Sequence, residues 1–435
     1  MNPFRLAHLG ALFLIVFSPG MFCNAAQTTG PVLTLADAEA RAIQTHPRIA
    51  AASLRAEAAG RIVAEEKSAY FPSVGANLTG ALVADTGTAT AAGNLTTSSI
   101  SNRLAGGGNL LQMVTDFGRT NARVRSARFQ QNSMELNTAD TRAQIILGVR
   151  EAYYSVLSSE AALSAVQETL KNRQLTLRQV TLQAEGLLKS TLDVSFAQVL
   201  ESEAELAVVQ AEDLVRENRA QLASSMGETT DVTATLVDQP QLPGLSPDLD
   251  QLIKQAEDQR PDIRAVEMKV RSAEENAEAE KRLSLPTVNV LGAAGEIPEH
   301  DRTLKDNYAA VGFNINVPLF TGGLFAARRS AAELNAHAAE EDLQNARLEV
   351  ARQVRFAWLE ANNAFRRLSL TSQLVQQANE AMRLAQARYD NGLSGIVELN
   401  EAQLNQTSAQ ISAVTARYDY LIRSTALDYR LGLLP

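Results

Sequence analysis

Cysteine is almost absent: Cys23 is the only one, which excludes an intramolecular disulfide and any cysteine-built zinc site. Histidine is scarce too, and His8, His46, His300 and His337 lie too far apart for ligand spacing, so no metal site is expected. Aromatics are 5% of residues against 45% apolar, and much of the apolar share is alanine, which favours helix but fills little volume. Such a chain buries surface through many close helix contacts rather than in one large core. Positive charge is not in excess: a net charge of −9 offers no basic footprint for nucleic acid. No apolar run is long enough for a mature membrane helix. If this chain enters a membrane, it does so as strands. No nucleophile–base pair and no cofactor motif stands out, so neither catalysis nor a cofactor is expected.

What is present begins with a targeting segment over residues 1–25. Arg5 and His8 precede the apolar run Leu9–Phe17, Pro19 and Gly20 follow, and Cys23 and Ala25 offer small residues for cleavage before Ala26. Cys23 could instead carry acyl chains, but Met21 and Phe22 before it lack the small residues that such processing prefers.

The most informative feature is an internal duplication. Thr45-His46-Pro47-Arg48-Ile49 is echoed by Gln259-Arg260-Pro261-Asp262-Ile263, and Tyr70-Phe71-Pro72-Ser73-Val74 by Ser284-Leu285-Pro286-Thr287-Val288, at one common offset. Val149-Arg150-Glu151-Ala152-Tyr153 answers Val354-Arg355-Phe356-Ala357-Trp358, and Met226-Gly227 answers Leu431-Gly432, at a second, shorter offset. The change falls between Pro72 and Val149, where the first copy has the longer loop. The chain therefore divides into a first repeat over 26–230, a linker over 231–246 and a second repeat over 247–435.

Each copy reads helix, strand, strand, very long helix, turn, helix. The first opens with an amphipathic helix over Thr34–Ala69, capped by Thr34. Val74–Val83 and Leu110–Phe117 are its strands, with a Thr/Ala/Gly/Asn loop from Asp85 to Asn102 between them. The second copy has strands at Pro286–Leu291 and Tyr308–Phe320 around a charged loop over Glu296–Asp306. In the last strand Val311, Phe313, Ile315 and Val317 alternate with Gly312, Asn314 and Asn316, the size and pattern of a membrane barrel strand. The long helices, Gly118–Gly186 and Gly323–Asn391, carry heptads. Val149, Val156, Leu163, Leu170 and Leu177 form one track, and Val354, Ala361, Leu368, Val375, Met382 and Tyr389 the other. Leu192, Val199 and Leu206 continue the pattern past the first turn, and Val397, Leu404 and Ile411 past the second. The result is a rod of helical hairpins.

Lipid-exposed strands must close into a barrel, and single-chain barrels start at about eight strands. One chain supplies four candidates, so membrane strands here require oligomerisation.

At this point the sequence resembles the TolC family of outer-membrane efflux proteins over nearly all of its mature length. The resemblance rests on the Pro-x-Ile starts, on Phe71-Pro72 and Leu285-Pro286 before strands, and on Asp116-Phe117-Gly118 and Leu319-Phe320-Thr321-Gly322-Gly323 after them. It also rests on the turns Gly186-Leu187-Leu188-Lys189-Ser190-Thr191-Leu192-Asp193-Val194 and Tyr389-Asp390-Asn391-Gly392-Leu393. It implies a mainly α fold with a twelve-stranded trimeric β-barrel in the cell outer membrane and a coiled-coil α-barrel across the periplasm. As partners it implies a homotrimer, outer-membrane lipid, a periplasmic adaptor and an inner-membrane transporter, for which the chain would be the exit duct of a tripartite efflux or type I secretion system. A soluble periplasmic coiled-coil scaffold without a pore is the alternative.

By the same resemblance Glu398 and Glu401 match acidic positions that ring the periplasmic entrance; their spacing puts both on one helix face, where solvated acids favoured by the helix dipole are the plainer account. Asp193 and Tyr389 match an entrance lock between neighbouring hairpins. The family's basic residue two past the second-turn glycine is replaced by Ser394, for which Arg388 could substitute. Gly186, Leu187, Leu188, Gly392, Leu393 and Ser394 are the candidate adaptor-contact tips, unless they serve the turns alone. Loops near 84–102 and 293–307 would face the outside of the cell. Asp116-Phe117-Gly118 spells a kinase metal motif without its partners, and Gly106-Gly107-Gly108 opens no helix.

Overall fold

A computed structural model describes residues 32–82, 103–186, 190–238, 242–245, 248–299 and 305–435; the targeting segment, Leu187, Leu188 and the loop expected at 84–102 lie outside them. The first half runs β1 (Val32–Leu33), α1 (Leu35–Thr45), α2 (Pro47–Ser68), β2 (Ser73–Ala81), β3 (Arg103–Thr115), α3 (Arg119–Glu185) and α4 (Thr191–Met226). The second half repeats it as β4 (Thr235–Leu236), α5 (Leu249–Gln259), α6 (Pro261–Lys281), β5 (Thr287–Glu299), β6 (Asn307–Asn316), α7 (Leu324–Asp390) and α8 (Ile396–Arg430). Helices α3 and α7 each have 67 residues, roughly 100 Å at 1.5 Å per residue.

The single helix expected over Thr34–Ala69 is two. Pro47 has no N–H to give to a continuing helix, so it opens α2, while His46 is extended and its Nδ1 accepts from the Arg48 N–H at 3.1 Å. Arg260–Pro261 makes the same break between α5 and α6. Thr34 does cap α1, in a reciprocal box with Asp37.

The duplicated sequence motifs meet in space. Gly227 ends α4 in the left-handed region, at φ 79°, with the Glu228 N–H returning to the Ala223 carbonyl at 2.9 Å. A Cβ there would lie 3.0 Å from Cα of His46. Gly432 ends α8 the same way, at φ 74°, and a Cβ on it would lie 3.0 Å from the Arg260 nitrogen. In each copy the closing glycine thus seats against the helix break made by the proline.

The four long strands form one antiparallel sheet in the order β2-β3-β5-β6, so the two repeats join through β3 and β5. Val311, Phe313 and Ile315 project from one face and are exposed; Asn77, Asn109, Asn314 and Asn316 belong to the other. Strand β3 starts well before the expected Leu110, and β5 runs past Leu291 to Glu299, which shortens the loop expected at 293–307. The glycine run is the reason. Gly107 pairs with Gly295, and a Cβ on Gly107 would sit 2.6 Å from the Ala294 carbonyl oxygen, so only glycine lets the strands approach there. Gly118, at φ 88°, is the N-cap of α3, and Asp116 two residues before it accepts from Thr120 N–H at 2.7 Å and from the Thr120 hydroxyl at 2.6 Å; the kinase-like triplet is a helix start.

The main core surrounds Tyr153 on α3, which is fully buried and donates toward the Leu33 and Val237 carbonyls at 3.0 and 2.9 Å. The described residues of the segment expected as a linker over 231–246 pack here: β4 pairs in parallel with β1, Leu236 is buried beside Leu33, and Tyr420 donates to the Pro243 carbonyl.

Candidate functional site

The two hairpin turns lie at the far end of the long helices from the sheet. Here a small apolar cluster takes residues from all four: Val180 of α3, Ala197 of α4, Tyr389 of α7, and Ile396 and Leu399 of α8, flanked by Leu177, Val194 and Met382. Tyr389 therefore does close its heptad track, and at 4% exposure it does so inside the protein. Burial pushes its phenol up, and the nearby Asp193 and Asp390 charges push the same way. Asp193 is thus brought close to Tyr389, while it also completes the cap of α4, its carboxylate facing the Ser190 N–H as Ser190 Oγ accepts from the Leu192 N–H at 3.1 Å.

The second turn is built by a Schellman closure. Gly392, at φ 70°, donates to the Tyr389 carbonyl at 3.0 Å, and the Leu393 N–H reaches the Arg388 carbonyl at 2.8 Å. Gly392 and Leu393 are exposed at the tip, as is Gly186 at the first turn. Ser394 is not: it is half-buried, and its Oγ is buried without a hydrogen bond among the described residues.

Glu398 and Glu401 are both exposed on α8, one turn apart. They differ in company. Arg388 reaches back across the turn, its Nε 2.8 Å from Glu398 Oε1. Arg388 thus pairs within its own hairpin.

Above the tip cluster lies a polar layer that the heptad reading missed. Arg173 stands seven residues from both Val166 and Val180, all three buried, and Gln403 stands seven from buried Ile396. Burial lowers the Arg173 guanidinium below its ordinary value, with Glu203 opposing. Arg173, Thr176, Asn400 and Gln403 line one small cavity, and next to it the Thr169 and Thr407 hydroxyls meet at 2.8 Å. The signal was available: a polar residue at a core heptad position fixes register at a cost in stability.

Comparison with known proteins adds the lineage. The sequence profile of the family described as outer membrane efflux protein matches residues 40–228 and 252–433. The chain is 25% identical over 309 residues to the outer membrane protein TolC of Salmonella enteritidis, which covers 67% of this chain and 61% of that protein. It is 26% identical over 329 residues to the probable efflux pump outer membrane protein TtgC of Pseudomonas putida, covering 73% of this chain and 66% of that one. The chain thus spans less than two thirds of these relatives' lengths. Among solved structures, outer membrane protein VceC of Vibrio cholerae superposes with a TM-score of 0.76 at 20% identity, over 92% of this chain and 96% of that one. The open state of the Neisseria gonorrhoeae MtrE outer membrane channel gives 0.76 at 21%, over 92% and 89%. These likenesses establish the fold.

Proposed function

The chain belongs to the outer membrane efflux protein family, and on that premise we propose that it is the exit duct of a tripartite efflux or type I secretion system. It acts as a passive conduit, with its strands in the outer membrane and its helices crossing the periplasm. The observation that carries this reading is the four-stranded sheet with two open edges, β2 and β6, mounted on two hairpins of roughly 100 Å. Unpaired strand edges are not tolerated in lipid, and four strands do not close. Three copies joined edge to edge give twelve strands and room for a lumen. The asparagine face then lines the pore, and the Val311–Phe313–Ile315 face meets lipid. A soluble scaffold has no use for that apolar exposed face.

The partners follow from the same premise: a homotrimer, a periplasmic adaptor and an inner-membrane transporter. Gly186, Gly392 and Leu393, exposed at the turns, are the tips offered to the adaptor. Tyr389 and Asp193 hold the hairpins together at the entrance, and Glu398 and Glu401 face the ions that pass it. Conductance of the detergent-extracted protein in a planar lipid bilayer tests the reading. Stable cation-selective steps are expected; a protein soluble without detergent that never inserts overturns it.

A further inference from the structure

We propose that Arg388 sets the charge of the entrance, cancelling Glu398 and leaving Glu401 as the acid that gives each chain its cation preference. This rests on the reading of the tips as a channel entrance.

The pair is ten residues apart and spans the turn, so it is no ordinary contact along one helix. Its guanidinium Nε lies 2.8 Å from the Glu398 carboxylate. Both ends are anchored. The Arg388 carbonyl accepts the Leu393 N–H of the Schellman closure, which ties its backbone to the turn. Arg388 also occupies the last turn of α7 and Glu398 the first turn of α8, the positions where each helix dipole favours that sign of charge.

Several other described charges near this tip have partners of their own, whereas Glu185 at the end of α3 makes no ion pair among the described residues. Glu380 pairs with Arg383 at 2.6 Å, Asp390 accepts from Gln386 at 2.8 Å, and Asp193 serves the α4 cap. Glu401 makes no ion pair among the described residues. Each chain therefore shows a passing ion one uncompensated carboxylate in this pair, not two. A multivalent cation that would bridge Glu398 and Glu401 must first displace Arg388.

The test is a charge cycle on the full-length protein in planar bilayers. It reads reversal potential in a KCl gradient and the La3+ concentration for half block, for R388Q, E398Q, E401Q and the double variant R388Q/E398Q. All three residues are solvent-exposed, and trimer retention on a native gel checks assembly. R388Q should raise cation preference and lower the half-blocking La3+ concentration by at least about fivefold, the effect of a single pair of unit charges at ~4 Å in water, which a trivalent ion exceeds. E398Q should lower cation preference, because it frees Arg388, and the double variant should return to the parent value. An R388Q channel indistinguishable from the parent while E401Q loses selectivity overturns the role of Arg388 alone. An E401Q channel with unchanged selectivity overturns the acidic entrance itself, and this inference with it.

Discussion

Two glycines, Gly227 and Gly432, show how single residues hold the halves of the molecule in place. Each ends a return helix with positive φ, and each lies against the backbone of a proline break, so an added Cβ meets strain and a close neighbour together. Gly227→Ala and Gly432→Ala should each cost about 1–2 kcal/mol for the left-handed conformation alone, read as a lower denaturant midpoint. An alanine at Gly148, where nothing lies within 4 Å of the added Cβ, should not lower it. Both the Pro47/Pro261 and Gly227/Gly432 echoes are visible in the sequence, but that they touch is not, because contact between distant motifs is decided by the path of the long helices. Asp140 poses a different problem. Burial pushes its carboxyl above the ordinary 3.8, against the hydrogen bonds from Tyr429 and Gln144 that pull it down. The folded state then holds its proton above the pH at which the unfolded chain releases it, so stability from this group falls as pH rises through that window. Asp140→Asn should flatten the decline in thermal midpoint as pH rises above the ordinary carboxylate value. Some slope will persist from Asp428 and Glu151, which burial raises in the same direction.

At the scale of elements, the heptad pattern divides into two kinds of seam. On α3 and α7 the predicted track faces inward: Val149, Val156, Val354, Ala361 and Tyr389 are buried. On α4 the track named from the sequence, Leu192, Val199 and Leu206, faces out, joined by Phe196 and Val209, and the residues buried within the chain are Ala197 and Ala204. A seven-residue repeat reports that a helix packs on something, but not on which partner, and on α4 it marks two faces at once. The small alanines let α4 lie close to its own hairpin, while the larger residues stay exposed on the face that the proposed trimer would cover. Val199→Glu and Leu206→Glu together should therefore leave helix content intact by circular dichroism and abolish the trimer in light scattering. Loss of helix content instead would mean that this face is needed within the chain. The strands were less legible. Their alternation was clear only in β6, because the glycines and alanines of β3 and β5 carry no polarity signal and are explained by how closely those strands approach.

For the whole molecule, the equal length of α3 and α7 is the quantity that matters most, because it brings both turns to one level. Only at equal length can Val180 and Ala197 of the first hairpin reach Tyr389, Ile396 and Leu399 of the second. The duplication made this equality readable from the sequence, and the closing role proposed for Tyr389 and Asp193 rests on the resemblance; the polar layer at Arg173 and Gln403 came only from the packing. The two hairpins can be separated by experiment. One heptad inserted near Leu163 in α3, with a matching heptad near Leu214 in α4, preserves coiled-coil register but moves the first turn by about 10 Å along the rod. Such a protein should still fold and trimerise, since its seams are unbroken, yet Tyr389 would lose its partners from the first hairpin and the entrance would stand open. Its baseline bilayer conductance should exceed the parent's. Adding matching heptads near Leu368 in α7 and Arg417 in α8 restores equal length, and should bring conductance back down in a channel longer by the same step. If the doubly lengthened protein stayed as conductive as the singly lengthened one, the tip cluster would not be what closes the entrance.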